Sequence, residues 1–351
     1  MSIPFTFSSA LLSAALLATA LPAAAESFVT FQVPGATSFS VAQINNSGVV
    51  AGSYTSSGGQ SRGFVRSASG EITGFDVNGL STTAMSISDD GTVAGYYTDG
   101  GGLKAFTRSP AGVITSLVTP GSFSVAYAIN NLGSTSGFYR NEQNDDFANR
   151  GFVATANGGF TSISMPAGMS GSVASALNDG GDSAGNFEVL YLNTLLKYVG
   201  FVQTASGVLT SFEAGTVSDP AGIPQTEVAG LNNAGTAAGV FRTVVCPFNC
   251  ATKSSQGYVR SAGGQITLFK VGATRSLMNV AGINNAGQIV GDYTASRGAS
   301  GFVRAADGAV TTFKVPKMLY TSPSSINDQG VVAGTCLKSG SSTYLGFLRL
   351  P

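Results

Sequence analysis

One unit is written seven times along this chain, and self-similarity at a period of roughly 40 to 50 residues constrains a fold more than local propensity does. The clearest copy runs from Gly282 to Val315, GINNAGQIVGDYTASRGASGFVRAADGAVTTFKV. Each copy opens on an aliphatic residue, a polar turn and a glycine: Ile44 to Gly48, Ile87 to Gly91, Ile129 to Gly133, Leu177 to Gly181, Leu231 to Gly235, Ile283 to Gly287 and Ile326 to Gly330. A second glycine follows eight residues after the anchor every time, at Gly52, Gly95, Gly137, Gly185, Gly239, Gly291 and Gly334. A small residue and an aromatic come next: Gly63-Phe64, Ala105-Phe106, Gly151-Phe152, Gly200-Phe201, Gly257-Tyr258, Gly301-Phe302 and Gly346-Phe347. Eleven residues beyond the first six aromatics stands a large apolar residue, Phe75, Leu117, Ile163, Phe212, Phe269 or Phe313; the seventh copy reaches Pro351 without one.

Each copy reads as four short strands. In the first, strand A is predicted over about Ser40 to Asn45, B over Val49 to Thr55, C over Arg62 to Ser67 and D over Glu71 to Val77. Asn-Asn-x-Gly between A and B is turn chemistry, because Asn tolerates and Gly favours positive φ. Four-stranded units repeated at this period predict an all-β chain, a seven-bladed β-propeller forming a single domain over residues 26–351. The D strand missing from the last copy has a replacement in SFVTFQV, Ser27 to Val33: Phe31 precedes Ile44 by 13 residues, as Phe313 precedes Ile326. The N-terminal strand is therefore expected to complete the last blade and close the ring, leaving no open end.

With INNSGVVAG, INNLGSTSG and INNAGQIVG in view, the chain resembles the HAF-type extracellular repeat proteins, over roughly residues 28 to 351. The second and fourth copies depart from that pattern, as ISDDGTVAG and LNDGGDSAG. The resemblance implies an exported repeat protein and brings no catalytic residues with it.

Residues 1–25 read as an export signal, a short apolar run followed by Ala23-Ala24-Ala25, so the mature chain is expected in the periplasm or outside the cell. No later run is long enough to span a membrane. An oxidising compartment suits a disulfide between Cys246 and Cys250, and Cys336, in VVAGTCLKS, reads as a buried strand thiol. Lys plus Arg and Asp plus Glu balance at 18 each, which gives no field to attract nucleic acid. The chain contains no His, which excludes Ser-His-Asp and Cys-His catalysis and histidine metal sites. Gly59 to Gly63 fits G-x-S-x-G by chance, in a B–C turn with no His partner. Arg66, Arg108, Arg260, Arg304 and Arg349, each two residues after the aromatic, recur with the repeat and read as structural.

Constant spacing of the A–B and C–D turns puts all length variation in the B–C and D–A connections, on the opposite face. B–C is enlarged in the third, fourth and fifth copies, and D–A is longest entering the fifth, EAGTVSDPAGIPQTEVAG. The bland reading is free drift of loops; the functional one is a binding rim on a rigid scaffold. Glu142, Asn144, Asp145 and Asp146 in that rim have the hard oxygens Ca²⁺ requires, or form a solvated acidic loop. Tyr191 and Tyr198 can stack on a sugar ring, anchor a protein, or pin their own loop. The reading favoured is a monomeric binding module for carbohydrate or a surface protein. The alternative is a carboxylate-dependent polysaccharide hydrolase or lyase, with Glu227, ahead of strand A in the fifth copy, as the first acid to consider.

Overall fold

The computed structural model describes residues 26–141, 146–191, 195–246 and 250–351. The expected export signal, residues 1–25, lies outside them. The described chain is all β. Five copies form separate four-stranded antiparallel sheets, the first built from Ser38–Ile44, Val50–Thr55, Ser61–Arg66 and Ile72–Phe75 as strands A to D. The last two copies share one eight-stranded sheet, because a single parallel bridge, Ala299 to Tyr320, ties strand C of the sixth to strand A of the seventh. Ser27–Phe31 pairs antiparallel with the last strand, Leu345–Leu350, in the register Ser27 to Leu350 through Phe31 to Gly346. Glu26 adds an ion pair with Arg349.

The small residue ahead of each strand-C aromatic is explained by what lies over it. A Cβ on Gly63, Gly257 or Gly301 would sit 2.2–2.5 Å from the ring of Phe75, Phe269 or Phe313, and one on Gly346 would sit 2.5 Å from Phe31. Phe31 thus does in the seventh copy what the D-strand phenylalanine does elsewhere. Where the D anchor is the smaller Leu117, its neighbour can be Ala105. The strand-C aromatics Phe64, Phe106, Phe152, Phe201, Tyr258, Phe302 and Phe347 are all fully buried, each contributing about 1.5–3 kcal/mol of hydrophobic stabilisation.

The recurring arginines lie between sheets. Arg66, Arg108, Arg260, Arg304 and Arg349 each place a guanidinium 4.9–5.0 Å from the ring of the preceding D-strand phenylalanine, at Phe31, Phe75, Phe212, Phe269 and Phe313. The two junctions whose D anchor is aliphatic, Leu117 and Ile163, carry Ala154 and Gln203 at the arginine position instead. Beside the first of these lies a cleft of about 250 Å³ lined by Leu117, Val118 and Ala154.

Every strand A carries a bulge opposite the unchanging second glycine. Register slips across Ala42, Met85, Tyr127, Ser175, Ala229, Ala281 and Ser324, and the carbonyl two residues before each of them lies against the strand-B glycine. A Cβ at Gly95, Gly137, Gly185, Gly239 or Gly291 would sit 1.9–2.0 Å from that oxygen, so no other residue fits. The bulge also re-aims its own side chain: all seven bulged residues line one central cavity.

The enlarged connections of copies three to five are extended hairpins more than loops. Strands B and C lengthen to Ser183–Tyr191 and Leu195–Gln203 in the fourth copy, and to Ala237–Val245 and Ala251–Arg260 in the fifth. Strand A of the fifth copy, Gly222–Leu231, takes in Glu227, which was expected ahead of it. In the fourth and fifth copies pairing continues because these segments are rich in β-branched and aromatic residues. The disulfide Cys246–Cys250 is present at the tip of the last hairpin, as expected, and Cys336 is buried, its thiol pushed up to about 11 by burial. The disulfide fits an oxidising compartment. Among the described residues no helix is long and apolar enough to cross a membrane.

Candidate functional site

On the constant-length face, the A–B turns are joined to one another. The first turn residue folds its own loop: Asn45 Oδ1 accepts from the Ser47 and Val49 amides while Nδ2 donates to the Ser88 carbonyl of the next copy. Asn130, Asn178, Asn232, Asn284 and Asn327 bridge to the following copy in the same way, Asn327 reaching back to Asn45. The second turn residue forms a complete cycle. Backbone N–H groups donate to side-chain Oδ1 at 2.8–2.9 Å from Asn46 to Asp89, Asn131, Asp179, Asn233, Asn285, Asp328 and back to Asn46. Carboxamide and carboxylate alternate around it, so that Asn131 Nδ2 donates to Asp89 at 2.9 Å and Asp179 at 3.1 Å, and Asn46 Nδ2 to both Asp89 and Asp328. A cycle of odd length must break the alternation once. It does so with two carboxamides, Asn233 and Asn285, and no two carboxylates are neighbours.

The opposite mouth of the channel is built differently. Arg140, Glu188 and Arg242 occupy the same strand-B position, three residues past the second glycine, in the three copies with long hairpins. Arg140 Nε donates to Asn149 Oδ1 at 2.7 Å, and Asn149 Nδ2 to Glu188 Oε1 at 2.7 Å. Glu227 pairs with Arg242 at 2.9 Å, and Arg242 reaches Asn279 in the next copy, also at 2.9 Å. Tyr127, aimed inward by its bulge, stacks on Phe138 at 5.9 Å. Its phenol is pushed up by burial first, then by Tyr96 and Glu188, with Arg140 opposing. Tyr198 is pushed up by burial and by Glu188 and Glu227. Asp292 Oδ1 accepts from the Ser322 hydroxyl at 3.2 Å; burial raises its pKa, while that bond and Arg242 oppose the rise.

Of the candidate residues, Tyr198, expected at the rim, and Glu227, expected as the acid of the enzyme reading, come together around this mouth. Glu142, Asn144 and Asp145 lie outside the described residues, as do the side chains of Asp146 and Tyr191. Among the described residues no group of three or more His, Cys, Asp or Glu could hold a metal. Tyr127, Arg140, Asn149, Glu188 and Arg242 were not expected. An aromatic at a bulge position that elsewhere holds Ala, Ser or Met was the signal for Tyr127.

Between the two faces the channel holds two cavities end to end. One of about 130 Å³ lies within the Asn–Asp cycle. The other, about 200 Å³, is lined by the bulge residues, and the two share a girdle that includes Ile129, Leu177, Leu231, Ile283 and Ile326.

No family model matches the sequence, and no curated protein matches it. Solved structures do. A catalytically inactive His-to-Ala variant of virginiamycin B lyase from Staphylococcus aureus, with quinupristin, is similar at a TM-score of 0.57 and 16% identity over 93% of this chain and 100% of that one. A streptogramin B lyase gives 0.55 and 16%, over 93% and 98%. The β-propeller domain of the Trilobed protease from Pyrococcus furiosus gives 0.56 and 8%, over 88% and 93%. The fold is a β-propeller. At these identities the likeness concerns the propeller alone.

Proposed function

We propose that the chain is an exported, seven-bladed propeller of the HAF-repeat type, closed by its N-terminal strand, that works as a binding module and takes carbohydrate at the hairpin-bearing mouth. The strand pairing from Ser27 to Phe31 and the seven-membered Asn–Asp cycle support closure. The mouth cluster carries the functional reading. Tyr127 and Tyr198 offer aromatic faces and phenols that stay protonated, beside a carboxylate, carboxamide and guanidinium array already held in place by its own bonds. Few, fixed polar groups around aromatic surface suit a ligand rich in hydroxyls.

The second reading, a carboxylate-dependent hydrolase or lyase, is favoured by the likeness to streptogramin B lyases. The histidine whose loss inactivates the S. aureus enzyme can have no counterpart in a chain without His. Glu227 is engaged by Arg242, and phenols pushed upward make poor bases near neutral pH.

Incubating the protein lacking residues 1–25 with a panel of polysaccharides, with and without Ca²⁺, separates the two by recording retention and released product together. Retention without product is the expected result. Product formation abolished by Glu227→Gln would replace the binding module with the enzyme, and neither retention nor product would redirect the search to a surface protein. Replacing residues 142–145 by glycines tests the acidic loop: loss of a Ca²⁺-dependent part of the retention is the outcome that assigns it a role.

A further inference from the structure

We infer that the unit held at the mouth carries a protonated amine, so that the ligand is an amino sugar with its amine free. This deepens the carbohydrate reading of the mouth and rests on it. What carries it is the isolation of one carboxylate. Of the three charged residues that share a strand-B position, both arginines are already engaged. Arg140 lies over the rings of Phe123 and Phe138 at 4.8 and 5.6 Å and donates to Asn149, while Arg242 pairs with Glu227 and donates to Asn279. Glu188 is the one acid at that position and forms no ion pair among the described residues. Its side-chain bond, to Asn149, is with a neutral carboxamide.

The sheet makes a seat for this carboxylate. Glu188 stands directly opposite Gly171 on strand A and Tyr198 on strand C, so the three share one face. A Cβ on Gly171 would lie 2.5 Å from Glu188 Oε2, and the other six copies carry a side chain at that position. On the other side stands Tyr198, its Cβ about 4.5–5.5 Å from that of Glu188, as for any directly opposed pair. Tyr127 approaches from the preceding copy, with one face stacked on Phe138 and its ring lining the axial cavity. Burial first, and Glu188 among the neighbouring charges, push both phenols up, so both rings stay neutral.

A half-buried carboxylate without a cation, set between two neutral aromatic rings, is complementary to an ammonium group. The carboxylate accepts charge-assisted hydrogen bonds from it, and the ring faces attract its charge. A hydroxyl or acetamide in the same place would make only the weaker neutral-donor bond, and a uronate would meet Glu188 as a like charge.

Oligomers of one β-1,4-linked backbone separate the amine from the sugar: glucosamine, N-acetylglucosamine and glucose, titrated calorimetrically at about pH 6, where a sugar amine is protonated and carboxylates are ionised. The glucosamine oligomer should bind at least about tenfold more tightly than either neutral one, and Glu188→Gln, which can keep the Asn149 bond, should abolish that preference. Gly171→Ala retains the charge but displaces the carboxylate and should reduce the preference; if Glu188→Gln fails to fold, this variant decides. Glu71→Gln, which removes an exposed acid from a C–D turn on the opposite face, should change nothing. Equal binding of the neutral oligomers, a preference that survives Glu188→Gln or falls as much with Glu71→Gln, or retention of another polysaccharide without the glucosamine oligomer would overturn the inference and leave the carbohydrate reading standing. Binding of no saccharide at all would overturn both, and capture of polylysine in that case would give the carboxylate to a cationic protein segment instead.

Discussion

The two faces of this propeller are made by the same seven copies and use their polar groups in opposite ways. On the constant-length face each turn residue is committed to the next copy: the Asn–Asp cycle leaves every Oδ1 accepting a main-chain N–H, and the A–B turns cannot change length without breaking it. On the other face the copies diverge. Hairpins lengthen in three neighbouring copies, and Arg140, Glu188 and Arg242 bring charge to a position that holds Thr55, Thr98, Thr294 or Leu337 elsewhere. Uniformity accompanies the hydrogen-bonded cycle, and variety accompanies the mouth. A propeller scaffold permits this division, because loops on one face can vary while the other holds the register.

Breaking the pairing of the N-terminal strand with the last strand should have the largest effect. Deleting Glu26 to Val33 exposes Gly346, Phe313 and Phe39 together, and Phe31→Ala alone should cost about 3 kcal/mol, read by urea unfolding. The terminal pairing contributes nothing if the truncated chain melts as the full one does. Next is the cycle: Asn131→Asp replaces a double donor by a third consecutive carboxylate between Asp89 and Asp179. At these exposed positions it should cost about 1–2 kcal/mol at neutral pH. Repulsion raises the folded-state carboxyl pKa values, so the loss should appear as pH rises through the carboxylate range and fade below about pH 4.

The junctions allow a finer test. Arg304→Met removes a guanidinium from Phe269 and should cost about 0.5–1 kcal/mol. Grafting the missing lock as Leu117→Phe with Ala105→Gly and Ala154→Arg should fill the 250 Å³ cleft and gain a similar amount, measured by thermal unfolding. A loss would mean that this junction is shaped for its own sequence. The smallest effect concerns Asp292, whose carboxyl is raised above its ordinary 3.8, chiefly by burial. The folded state then binds the proton more tightly than the unfolded chain, so stability falls as pH rises through the window from 3.8 to the raised value. Asp292→Asn should stabilise by a few tenths of a kcal/mol at pH 7, with no difference below pH 3.

Much of this was legible in the sequence, for identifiable reasons. Fixed spacings revealed the repeat, and Phe31 standing 13 residues ahead of Ile44 revealed the strand that completes the last copy. The arginines were recognisable as structural because they recur, although their phenylalanine partners lie in the preceding copy and only a comparison of columns connects Ala154 and Gln203 with Leu117 and Ile163. The bulge was hidden. A one-residue slip leaves no mark on strand composition, so neither Tyr127 nor the fixed spacing of the second glycine announces it. Alternation of Asn and Asp at the second turn position was in plain view, but its meaning depends on neighbours 42 to 54 residues away. The insertions were read as loops because length variation usually means loops; in the fourth and fifth copies their β-branched and aromatic content carried the strands onward.

The most direct measurement compares Asn131→Asp and Tyr198→Ala with the wild type for retention on whichever polysaccharide the wild type binds, at a temperature where all three are folded. A division of labour between the faces predicts that Asn131→Asp binds as the wild type does while Tyr198→Ala binds at least tenfold more weakly. Equal binding by all three, or loss confined to Asn131→Asp, would contradict it.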